Sequence, residues 1–223
     1  MNTNRTTASA VRTALLTSVL FTACPGTAAM VTFTDRTTFL VSASAGTATG
    51  ALPNSGFVGQ GPATVGDVVL NGFPNNLLHI GGASVSPSFD WTTRLPGHDI
   101  AIDGTELLGV SFPSVFSLGF DIVEPEMDLN LNAPFIDSIF RVDLFNGATP
   151  VGTYQFNPPN DTAAFSGVWS DMPFTRAEIR EIVCGSENEF FGQFYTGVTP
   201  VPEPSPILLG LLMSAGSLLR RRR

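Results

Sequence analysis

Residues 136–156 constrain the fold of this chain more than any other stretch. Ile139, Arg141, Asp143 and Phe145 alternate with Ser138, Phe140, Val142 and Leu144. Such a period of two describes a strand with one buried and one solvated face. Asn146-Gly147 follows at once and suits the tight turn of a hairpin, so residues 151–156 become the returning strand. Runs of the same kind recur at 67–70, 77–80, 89–92, 99–102, 106–112, 115–123, 164–169, 176–183 and 190–196, with Gly, Pro, Ser, Thr and Asn between them. Short strands at this spacing predict an all-β chain, an antiparallel β-sandwich or jelly roll. One short helix is expected over 36–45, capped by Asp35 with Phe39 and Leu40 inward, and 44–66 reads as a long loop.

Charge narrows the partners. Residues 30–199 hold five arginines, no lysine and 18 acidic residues, a net −13, whereas the whole chain carries −8. A body so acidic repels nucleic acid and anionic lipid. The missing positive charge sits at the two ends.

Residues 1–29 have the layout of a secretory signal peptide, with Arg5 and Arg12 before the apolar run 14–23. Thr27-Ala28-Ala29 supplies the small residues for cleavage before Met30, and a cut after Ala28 fits nearly as well. Leu20 to Cys24 loosely resembles a lipoprotein box with Phe21 at its usual leucine position, but a soluble leader is the better reading. Once the leader is gone only Cys184 remains, so the exported body forms no internal disulfide.

The other end, 200–223, has three abutting parts. Pro202 and Pro204 hold the chain extended around Glu203, an uncharged apolar run covers 207–219, and Arg220, Arg221, Arg222 and Arg223 end the chain. The apolar run would cross a bilayer as a transmembrane helix, with the arginines kept on the cytoplasmic side. This order resembles the PEP-CTERM sorting signal. The resemblance implies that Pro202, Glu203 and Pro204 are recognised by exosortase, a membrane-embedded cysteine protease that cuts nearby. It also implies a transient inner-membrane anchor and a final site at the cell surface or in the extracellular matrix. The body is similar to jelly-roll domains of other PEP-CTERM proteins. It shares an opening Thr32-Phe33-Thr34-Asp35-Arg36-Thr37-Thr38-Phe39, a middle in which Gly109-Val110-Ser111-Phe112 precedes Phe116-Ser117-Leu118-Gly119-Phe120-Asp121, and later Phe165-Ser166-Gly167-Val168 and Phe174-Thr175-Arg176-Ala177-Glu178-Ile179. These are patterns of core and turn.

Signatures of catalysis are missing: there is no His-Glu-x-x-His, Gly-x-Ser-x-Gly, phosphate-binding loop or Cys-x-x-Cys. His79 and His98 read as loop or surface residues, and Cys184 as a small buried hydrophobe. Asp128, Asn130 and Asn132 fall at alternate positions and are the candidate Ca²⁺ ligands, although Ala133 and Ile139 stand where an EF-hand has glycine and glutamate. No cofactor is otherwise expected. Trp91 and Trp169, with Tyr154 and Tyr195, are the candidate stacking platforms for a sugar. The leading expectation is an exported, non-enzymatic surface or matrix protein sorted by exosortase. The alternative is an exopolysaccharide-binding module with the same routing, and the third is an extracellular hydrolase.

Overall fold

The structure is a computed structural model. It describes residues 28–200 except 73–76, 83, 87–88, 92–93, 104–106, 125–126, 129–132, 135–136 and 184–188. The expected leader up to residue 27 and the expected sorting signal from residue 201 therefore lie outside the described residues. Among the described residues no helix is long and apolar enough to cross a membrane.

The elements run in the order β1 (Met30–Phe33), α1 (Arg36–Ser42), β2 (Gly46–Thr47), β3 (Gly56–Gly59), β4 (Ala63–Val65) and β5 (Val68–Gly72). Next come β6 (Leu77–Gly81), β7 (Ser84–Ser86), β8 (Phe89–Trp91), β9 (Asp99–Asp103) and β10 (Leu107–Val123). The chain continues with β11 (Met127–Asp128), β12 (Ala133–Pro134), β13 (Ile139–Asn146), β14 (Thr149–Phe156), β15 (Ala164–Val183) and β16 (Phe190–Gly197). All strand ladders among the described residues are antiparallel, as the alternation predicts. The 139–146 and 149–156 hairpin forms with Gly147 at φ +60°, the conformation its turn requires.

Two of the predicted breaks are absent. Residues 106–112 and 115–123 join into one strand, and so do 164–169 and 176–183. The punctuating Pro113 falls at the β10–β15 register shift between Ser111 and Val115, and Pro173 at the next one, between Val115 and Ser117. A residue without an N–H is tolerated at such a bulge, so proline bends these strands without ending them. The predicted loop 44–66 is also corrected, because β2, β3 and β4 form inside it. These strands are two to four residues long and too rich in Gly, Ala and Thr to show an alternation.

The long pair β10–β15 organises the rest. Its first half adds β13 and β14 beyond β15, and β5 and β4 beyond β10. Its second half adds β1 beyond β15, and β16, β9, β6 and β3 beyond β10. The sheet folds over on itself at the bend, bringing aromatics of both halves together. Phe120 of β10 meets Phe156 of β14 at 5.8 Å between ring centroids, and Phe156 stacks on Phe140 at 5.3 Å. Leu118, Ile122, Val142, Leu144, Val168, Ile179 and Phe194 belong to this same buried core.

A second, smaller core lies under α1. Asp35 caps the helix by accepting from the Thr38 N–H at 2.7 Å. Phe39 is fully buried against Phe165, Tyr195 and Ala43. It can sit there because Gly119 and Gly167 present no side chain. A Cβ on Gly119 would lie 2.5 Å from Phe165 Cζ and 2.9 Å from Phe39 Cε1. Arg36 pairs with Asp121 at 2.6 Å and lies over the Tyr195 ring, whose hydroxyl donates to Asp121 at 3.1 Å. Residues 32–39, 116–121 and 165–168 thus meet in one packing unit, joining the start of the chain to the central strands.

Candidate functional site

A groove of about 340 Å³ opens where β1, the end of β14 and the start of β15 converge. Its apolar lining includes Phe33, Phe156, Phe165 and Ile122. Its polar lining is Thr32, Thr34, Gln155, Asn157, Tyr154 and Ser166. None of the described residues lining it is charged. That is unusual ground in a body of net −13.

Each wall is held from outside. Phe33 meets Phe39 edge-on at 5.4 Å, and Phe165 contacts Phe39 and Tyr195 at 5.3 and 6.0 Å. The Phe156 ring is fixed by its stack on Phe140. Tyr154 and Ser166 share a hydrogen bond of 3.1 Å between their hydroxyls, and burial pushes the Tyr154 hydroxyl far up, so it stays neutral. Asn157 donates to Asp137 at 3.0 Å, which orients its amide, and Pro158 and Pro159 restrict the backbone that follows. Rings and hydroxyls already held in this way spend little ordering entropy when a ligand enters.

The carboxylates lie elsewhere. Glu124 and Glu181 are both buried and meet at Ser138, whose N–H donates to Glu124 and whose hydroxyl donates to Glu181, each at 2.5 Å. Burial pushes the Glu124 carboxyl up, and the nearby negative charges of Asp137 and Glu181 add to this against its bonds to Ser138. Neither Glu124 nor Glu181 lines the groove. Asp99 is also buried and raised by burial, although the Arg94 and Leu95 N–H groups bond it at 2.8 and 3.4 Å.

Trp169 is half-buried and packs on the cluster under α1, with its indole N–H buried and without a hydrogen-bond partner. It does not line the groove. Trp91 lies in β8 and Asp128 in β11, and the side chains of both are outside the described residues. Asn130, Asn132, Cys24, Cys184, Pro202, Glu203, Pro204 and Arg220 to Arg223 also fall outside them. No group of three or more His, Cys, Asp or Glu among the described residues could hold a metal ion. His79, expected at the surface, is instead buried in β6, where desolvation lowers its pKa. His98 bonds the Leu52 carbonyl through Nδ1 at 2.9 Å. Sequence reasoning missed Phe33, Gln155, Phe156 and Asn157 as site residues. The one available signal was the Asn157-Pro158-Pro159 run directly after a strand.

No protein-family model matches the chain, and no curated protein matches it. The solved structures that align with it include two variants of the family 29 carbohydrate-binding module CBM29-2. One covers 79% of this chain and 99% of its own at 10% identity and a TM-score of 0.28. The other, complexed with mannohexaose, covers 76% and 91% at 12% identity and a TM-score of 0.26. Scores this low establish no shared fold and transfer no residue.

Proposed function

We propose that this chain is an exported, non-catalytic module that binds a neutral glycan in the groove between β1 and the end of β14. The observation supporting this reading is a preformed recess of about 340 Å³ lined by phenylalanine rings, hydroxyls and amides, with no charge among its described lining residues. A sugar offers apolar C–H faces for aromatic rings and uncharged hydroxyls for amide and hydroxyl partners. An anionic ligand would meet no counter-charge there and would be repelled by the acidic body.

The exported protein, screened against neutral and acidic oligosaccharides with and without Ca²⁺, is expected to bind neutral ones whether or not Ca²⁺ is present. Asn157→Ala and Gln155→Ala should each weaken the best ligand by about 2- to 10-fold by calorimetry, the worth of one lost hydrogen bond. Binding only to acidic glycans, or unchanged affinity in both variants, would refute the assignment to this groove.

Routing is a separate part of the proposal and draws its support from the sequence of 1–29 and 200–223. The module is exported through its leader, anchored transiently in the inner membrane by its C-terminal helix, and cut near Pro202-Glu203-Pro204 by exosortase. It then rests at the surface or in the matrix. Deleting 206–223 should move the protein from the membrane to the soluble periplasmic or medium fraction. Membrane association that survives the deletion would rule the anchor out.

A further inference from the structure

β1 is tied down at its first residues by contacts that distinguish the two cleavage sites of the leader. The Ala29 N–H donates to Asp171 Oδ1 at 2.9 Å, and the Asp171 N–H donates back to the Ala29 carbonyl at 3.1 Å. Met30 pairs opposite Ser170, and its thioether fills the space above Gly152 where a Cβ would stand.

A leader peptidase needs small residues at the cut and two positions before it. Both Gly26-Thr27-Ala28 and Thr27-Ala28-Ala29 meet that need. Cutting after Ala29 removes both bonds to Asp171 and leaves the new terminal charge on Met30, whose side chain packs against the core. Cutting after Ala28 gives up only the methyl that Ala28 rests on the core, and it keeps every contact of Ala29 and Met30. It also strengthens one of them, because the donor on Asp171 becomes an ammonium instead of an amide.

We infer that the mature chain begins at Ala29 and that its α-ammonium pairs with the Asp171 carboxylate. The inference rests on the leader reading above. Water adds at the Ala28 carbonyl and the C–N bond to Ala29 breaks. Ala28 leaves with the leader as a carboxylate, and the Ala29 nitrogen takes up a proton. The pair fastens the free end of a four-residue strand, where fraying would otherwise begin. Three residues further on, Thr32 starts the β1 wall of the groove.

The test uses the full chain, exported through its own leader from a Gram-negative host, with N-terminal sequencing and intact mass of the product. Ala29 is expected first. A product starting at Met30 overturns this inference alone, one starting at Cys24 overturns the soluble leader with it, and one still starting at Met1 overturns the leader reading altogether. The second measurement is pH-dependent acylation of the terminal amine. At pH 8 it should be about threefold slower in the wild type than in Asp171→Asn, because the carboxylate favours the charged form. Asp171 is exposed, so that variant keeps the fold. Equal rates in both proteins would refute the pairing.

Discussion

Gly119→Ala should destabilise the body by about 3 kcal/mol, seen as a fall in Tm of roughly 6–12 °C. The added methyl enters space already held by the Phe165 and Phe39 rings. Phe39 is fully buried and has no room to retreat, and Phe165 is held between it and Tyr195. The companion change Phe39→Leu should cost less in the Gly119→Ala background than in the wild type, because it vacates the space the methyl needs. Thermal denaturation of the four proteins measures this coupling. Additive losses would mean that α1 is not seated on Gly119.

Arg36→Met should be the second largest change, about 2 kcal/mol near neutral pH, with a dependence on pH that identifies its cause. Removing one partner of a fully buried ion pair costs about 3–5 kcal/mol. Here the Arg36 side chain is half-exposed, so solvent screening reduces the loss. Burial pushes the Asp121 carboxyl above its ordinary 3.8, and Arg36 and the Tyr195 hydroxyl draw it partly back. A raised carboxyl favours the folded state when protonated, so its contribution is full at low pH and is lost as pH rises through the folded pKa. Without Arg36 that pKa rises further, and the loss extends to higher pH. Urea denaturation should therefore show a small effect of the substitution near pH 4 and its full effect above pH 7. Adding Asp121→Asn should recover part of it. A loss equal at both pH values would assign the effect to packing of the arginine stem.

The strands were legible wherever one face is buried and the other wet. Residues 139–146 and 190–197 fall close to where their alternation predicts them. Reading failed where local chemistry was overruled from a distance. Pro113 and Pro173 look like chain breaks, yet each sits in a strand whose partner continues past the bend. The strands in 44–66 carry almost no pattern of their own and exist because β16, β5 and β6 pair with them. The Asp35 cap and inward Phe39 were visible in the sequence, but the reason for Gly119, Asp121 and Gly167 was not. It lies in α1, some 80 to 130 positions earlier in the chain. The groove was illegible for the same reason. Thr32, Phe33, Gln155 and Asn157 have nothing in common until β1 pairs with β15, with Met30 opposite Ser170 and Phe33 opposite Gly167.

The place of β16 bears on when this molecule can finish folding. Its residues are the last of the body to be made, yet they lie between β10 and β9, and the hydrogen-bonded path from β10 to β9, β6 and β3 passes through them. A chain emerging amino end first therefore holds three strands in waiting, with no ladder among the described residues to join them to the centre until about residue 190 has appeared. Closure is a late event that depends on contacts distant in sequence, and topologies of that kind close slowly. On the proposed export route, this order of assembly leaves the chain time to be threaded through the membrane before it locks.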